Sequence, residues 1–129
     1  MKRIAGPLFA LLILAPLAGC SSIRQEDIPA HTEVLLYTTP FDLTYLRTLE
    51  ALENVDGWEL EETEKEKGII RVRNMKYSNL ADADLRQATI LITRIDRGQT
   101  SVQLAPYSQH VIGGADLMKR ISQYVGREL

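Results

Sequence analysis

The segment Ala88 to Ile95 constrains the fold most: it is dense in β-branched side chains and carries three consecutive aliphatics, Ile90, Leu91 and Ile92. Such a run predicts a central strand, buried on one face and partly covered on the other. Asp96-Arg97-Gly98 then reads as a three-residue turn with its glycine left-handed. That turn pairs Ile92 with Val102 and Ile90 with Leu104, and Pro106 ends the partner strand. The hairpin has one strongly apolar face, which other elements must cover.

The covering elements lie on both sides of it in sequence. Val34 to Thr38 predicts a first strand, followed by Thr39-Pro40-Phe41-Asp42 as a helix start with hydroxyl at N-cap, proline at N1 and acid at N3. Tyr45, Leu46, Leu49, Leu52 and Val55 recur at helical spacing, and Gly57 sits where a C′ glycine would end the helix. Trp58 and Leu60 alternate with Glu59 and Glu61, as Ile70 and Val72 do with Arg71 and Arg73. Pairing Leu60 with Ile70 sets Trp58 against Val72 and Glu59 against Arg71, leaving Thr63 to Lys67 as a loop with Gly68 available for a bulge. Gly114 to Arg127 reads as a second helix with Leu117, Met118, Ile121, Tyr124 and Val125 on its apolar side. The expectation is an α+β fold of order β-α-β-β-β-β-α, its antiparallel sheet covered on one face by two helices.

The first 19 residues stand apart. Met1-Lys2-Arg3 is a basic start, and Ile4 to Pro16 is an uncharged, mostly apolar stretch of 13 residues. That suits a secretory leader and falls short of the ~20 residues of a membrane-spanning helix. The only cysteine, Cys20, follows Leu17-Ala18-Gly19. Leu17-Ala18-Gly19-Cys20 resembles the lipobox of bacterial lipoproteins. The resemblance implies cleavage before Cys20, acyl chains on that residue and stable anchoring by two or more chains. Ser21 and Ser22 follow, with no aspartate in the position that typically retains such proteins at the inner membrane, which favours the outer membrane facing the periplasm. The predicted division is a leader at 1–19, a lipidated cysteine and flexible tether at 20–33, and one α+β domain at 34–129. The element order is similar to that of small helix-on-sheet domains in other envelope lipoproteins, including one in an outer-membrane assembly machine.

Without the leader, which takes Lys2 and Arg3 and no acid, 13 basic residues face 17 acidic ones, formally −4. Mild acidity argues against nucleic acid as a partner. With His31 and His110 the only histidines, zinc-ligand spacing is missing. Asp82 and Asp84 form a weak candidate for a divalent cation, or acids near the start of a short helical turn. His110 and Ser108 share a loop without an acid partner or a nucleophile elbow, so no catalytic residue and no enzyme activity are expected. Gly113-Gly114 precedes a helix but lacks the glycine pattern of a nucleotide site, and no cofactor is expected. Glu59, Glu61, Glu62, Glu64 and Glu66 beside Lys65, Lys67, Arg71 and Arg73 read as a solvated hairpin face.

Two candidate sites remain. On the sheet's outer face, Leu91, Ile95, Ile69, Met75 and Tyr77 interleave with Thr93, Ser101 and Gln103, and Asn74 interrupts the inner alternation. A partner-binding surface built on Leu91, Ile95, Thr93 and Gln103 is the preferred expectation, a tether or loop covering that face the opposing one. The alternative is a carrier or sensor of a small apolar ligand, in a helix–sheet cleft lined by Trp58, Tyr45, Leu49 and Tyr124.

Overall fold

The computed structural model describes residues 28–77 and 83–128. Its elements are β1 (Val34–Tyr37), α1 (Phe41–Glu53), β2 (Trp58–Glu64), β3 (Ile69–Asn74), β4 (Gln87–Asp96), β5 (Gln99–Leu104) and α2 (Gly114–Glu128). The strands form one antiparallel sheet in the order β1-β5-β4-β3-β2, giving a mixed α+β fold. The aliphatic run of β4 occupies the middle, as its composition requires. Ala88, Ile90 and Ile92 are buried against the helices beside Ile70, Val72, Val102 and Leu104. Val125, Ile121, Met118 and Leu117 of α2, with Leu52, Ala51 and Tyr45 of α1, close the core from that one side.

The β4–β5 pairing follows the expected register, Ile92 opposite Val102 and Ile90 opposite Leu104. Its turn is tighter than expected. Asp96 opposes Gln99 across the two residues Arg97-Gly98, and the register shifts between Arg94 and Asp96, making Ile95 the extra residue of a bulge. Asp96 Oδ1 accepts the Gly98 N–H at 2.9 Å, a local bond that shapes the turn. Gly98 is therefore not among the left-handed glycines, which are Gly57, Gly68 and Gly113.

The first hairpin corrects the expected register by two residues. Leu60 opposes Val72 instead of Ile70, Trp58 opposes Asn74 instead of Val72, and Glu59 opposes Arg73 instead of Arg71. A compact turn at Lys65–Lys67, closed by Gly68 at φ +68°, lets the ladder run on to Glu64 opposite Ile69. One residue, Glu61, is squeezed out as a bulge between Leu60 and Glu62. Up to Leu60 the slip is even, so Trp58, Leu60, Ile70 and Val72 keep their expected face; past the bulge it is odd, which brings Glu62 onto the outer face opposite Arg71.

Helix ends also move. Pro40 is itself the N-cap of α1, with no side-chain cap, because the Thr39 hydroxyl is engaged by Thr44 Oγ1 at 2.6 Å. At the other end Asn54 caps the helix, donating Nδ2–H to the Glu50 carbonyl at 2.7 Å. Gly57 (φ +86°) instead shapes the approach to β2, accepting the Met75 N–H at 2.7 Å. Leu46, expected in the apolar stripe, is 48% exposed; Thr44 and Thr48 take the core side. Their hydroxyls bond back to the Pro40 and Thr44 carbonyls, which makes them tolerable inside.

The chain is held to the domain earlier than the soft end expected near Glu33. His31 N–H donates to the Gln109 carbonyl at 2.8 Å, and His110 Nδ1 lies 2.6 Å from the Ile28 carbonyl. Residues 28–33 thus run along the connection that leads into α2. No helix among the described residues is long and apolar enough to cross a membrane.

Gly68 has the most demanding backbone position. A Cβ there would lie 2.0 Å from the Ile92 carbonyl oxygen, in the segment where the Ile92 N–H donates to the Gly68 carbonyl at 2.7 Å. Gly68→Ala is expected to cost more than the ~1–2 kcal/mol of a left-handed non-glycine residue alone. The thermal midpoint, read by circular dichroism, should fall by at least ~4–8 °C. Gly98→Ala, with open space around the added carbon, should leave the midpoint nearly unchanged.

Candidate functional site

Antiparallel register carries the outer face of the sheet from strand to strand, since directly opposed residues share a face. Val34 of β1 opposes Gln103 of β5, Gln103 opposes Leu91 of β4, and Leu91 opposes Ile69 of β3. In the next row Leu36 opposes Ser101, and Ser101 opposes Thr93. Leu91, Thr93 and Gln103 therefore form one contiguous patch, as expected. Ile95 does not belong to it. The bulge displaces it to the end of the sheet, where it borders a depression of about 420 Å³ with Pro40, Phe41 and Arg94. Met75 and Tyr77 lie outside it too, because β3 ends at Asn74. Met75 borders a different depression with Trp58, Leu60 and Gly57. Asn74 stays on the inner side, buried, donating Nδ2–H to the Ile112 carbonyl at 2.9 Å.

Val34 and Leu36 complete the patch, 46% and 68% exposed. Sequence reasoning passed over them. The visible signal was four consecutive apolar residues in a strand, which must turn Val34 and Leu36 away from the side where Leu35 and Tyr37 pack against the core. The described part of the tether does not cover this face: it lies along Gln109 and His110.

The outer face has two electrostatically different halves. On β2 and β3, Arg71 reaches both Glu62 and Glu64, the latter at 3.3 Å. Arg73 Nε donates to Glu61 at 2.6 Å, and Gln87 Nε2 donates to the other oxygen of that carboxylate at 2.9 Å. The bulge makes this possible by turning Glu61 onto the same face as Glu62. The hydrogen bond from Arg73 holds the Glu61 carboxyl below its ordinary range, and Glu62 raises the Arg71 guanidinium. The other half, across β4, β5 and β1, presents aliphatic, hydroxyl and amide groups without a charge, Val34, Leu36, Leu91, Thr93 and Gln103, while Ser101, between Leu36 and Thr93, is buried. Dry contact there would desolvate no ion.

The ligand-cleft residues pack on one core cluster and do not line one cleft. Tyr45 is a core residue at 5% exposure, and Leu49 packs against the same cluster. Trp58 and Tyr124 border separate depressions, of about 460 and 150 Å³. The Tyr124 hydroxyl donates instead to Glu50 at 3.3 Å, linking the helices. Asp82 and the side chain of Asp84 lie outside what the structure describes, and no cluster of three metal-ligating side chains occurs among the described residues. Ser108 Oγ accepts the Thr89 N–H at 2.8 Å, while His110 faces the Ile28 carbonyl, so the two serve separate structural contacts. Gly113-Gly114 is a packed junction. A Cβ at Gly114 would meet His31 and Val111, and one at Gly113 would meet Asn74.

The class these features define is a small helix-on-sheet domain with one half of its open sheet face uncharged. No family model matches the chain, and no curated protein aligns with it significantly.

The Glu61–Arg73 contact gives a pH test. A carboxyl lowered in the folded state adds stability that is present above its ordinary value of 4.5 and lost as pH falls through the lower folded value. Thermal midpoints should drop on acidification below 4.5, and less steeply in Glu61→Gln. At neutral pH that variant should lose no more than the ~0.2–1 kcal/mol of a surface pair.

Proposed function

We propose that this protein is a non-catalytic, membrane-anchored lipoprotein of the bacterial envelope, whose domain binds another protein as an accessory or scaffold. One observation supports the binding reading above the others. Half of the open sheet face is uncharged and bears two strongly exposed aliphatics, Val34 and Leu36, beside a half whose charges are already paired. Single exposed aliphatics are ordinary, but a contiguous row of them with hydroxyl and amide neighbours fits a protein contact. The anchoring reading rests on Leu17-Ala18-Gly19-Cys20 and the leader before it. It places the domain at a membrane surface, on the outer membrane facing the periplasm.

Two measurements test the two parts. Intact mass of the purified protein should show a chain starting at Cys20 with acyl mass attached, and Cys20→Ala should lack that mass and leave the membrane fraction. An unmodified chain beginning at Met1 would overturn the anchoring. For the surface, the lipidated protein tagged at Leu129 should carry a stoichiometric protein companion through gentle solubilisation. Thr93→Arg and Gln103→Arg should each weaken that companion at least tenfold while the thermal midpoint stays within a few degrees. A companion retained by both variants would remove the outer face from consideration.

A further inference from the structure

The two edges of the sheet are built differently, and the difference points to a partner. The β2 edge carries Glu59, Glu61, Glu62 and Glu64, with a bulge at Glu61. Acidic side chains and a bulge are standard means of keeping a second strand off an edge, and a like edge would bring carboxylates against carboxylates. The β1 edge has neither device. It is unbulged against β5, and between Glu33 and Asp42 the chain holds no charged residue. Its side chains are apolar on both faces, Leu35 and Tyr37 inward and Val34 and Leu36 outward.

We infer that β1 pairs antiparallel with β1 of a second copy, joining two five-stranded sheets into one of ten strands. This deepens the protein-binding reading, on which it rests, by naming the partner of one edge. The occupant must be an uncharged strand that is apolar on both faces. β1 itself meets that requirement, and no other described strand does, since β2, β3 and β4 carry charges and β5 is largely hydroxyl and amide. A two-fold axis at Leu35 keeps the faces continuous. It sets Val34 opposite the partner's Leu36, and Leu36 opposite the partner's Val34, so each exposed aliphatic gains one apolar cross-strand neighbour. The contact is isologous and the remaining edges are the acidic β2 strands, so growth stops at two copies. Three β1 residues a side pair in this register, with Tyr37 opposite the partner's Glu33, so the interface is small, the dimer is concentration-dependent, and confinement to one membrane favours it. The axis is normal to the sheet, which puts both uncharged outer halves side by side as one doubled platform.

Native mass spectrometry of the mature full-length protein in detergent, across a concentration series, tests this directly. The wild-type chain should give a dimer whose fraction rises with concentration. Leu36→Lys, and independently Val34→Lys, should weaken it at least tenfold with unchanged circular dichroism. Thr93→Arg, on the face and off the edge, should leave it intact. A mixture of Val34→Cys and Leu36→Cys chains should form more interchain disulfide than either alone. Wild-type protein monomeric throughout, or a dimer that survives both lysine variants, would overturn the inference. In that case a heterologous companion lost on Thr93→Arg would leave the protein-binding reading standing. A dimer sensitive to Leu36→Lys with no face-dependent companion would separate the two the other way.

Discussion

The burial of β4 between two neighbours and under two helices is the constraint on which the rest depends. Ile90 and Ile92 are inaccessible on the helix side, and β4 is hydrogen-bonded to β3 on one flank and β5 on the other. Such a strand has no freedom to slide, since a one-residue slip would carry three buried aliphatics to the opposite face. The irregularities of this fold lie away from the buried part of β4, in the edge strand β2, at the β4–β5 end and in the turns. Gly68 shows how tight the fit is. Its carbonyl receives the Ile92 N–H just past the end of the β3 ladder, and its missing side chain is what lets the turn approach the β4 backbone.

Both bulges shape the outer face. The extra residue at Glu61 supplies a second carboxylate opposite Arg71 and Arg73, so two guanidiniums and the Gln87 amide donor are matched by three carboxylates. The extra residue at Ile95 removes an aliphatic from the middle of the face and delivers it to the rim near Phe41, where Arg94 stacks 5.3 Å from the ring centroid. One irregularity saturates the charged half and the other trims the apolar half. The uncharged surface that remains is centred toward β1, away from the paired charges.

What could be read from the residues alone follows the same division. Element order, the single-sided helix cover and the β4–β5 register were legible because period-two and period-3.6 patterns dominate Ala88–Leu104 and Leu117–Val125. The first hairpin was legible only modulo two: alternation says which face Leu60 takes, and a turn of Lys and Glu residues gives no signal of its length. Leu46 and Thr48 illustrate the limit of hydrophobicity as a guide. Both fit a helical stripe within one residue, and the hydroxyl that can bond back to the helix wins the inner place. Val34 and Leu36 were hidden for another reason. Four consecutive apolar residues read as a strand, but whether that strand is an edge is a matter of topology.

The hold on residues 28–33 changes what an anchor at Cys20 would mean. A coil running to Glu33 would let the domain drift by ~20 Å r.m.s. from its attachment. With the chain pinned at Ile28 by His110 and at His31 by Gln109, only residues 21–27 separate the anchor from the domain. Eight Cα steps reach at most ~29 Å when fully extended. The domain would then be held within about its own diameter of the bilayer, with the α2 junction nearest the attachment. A leash of that length suits a surface that meets partners in the same membrane, where lateral confinement brings copies together and the outer face of the sheet needs only to turn toward them.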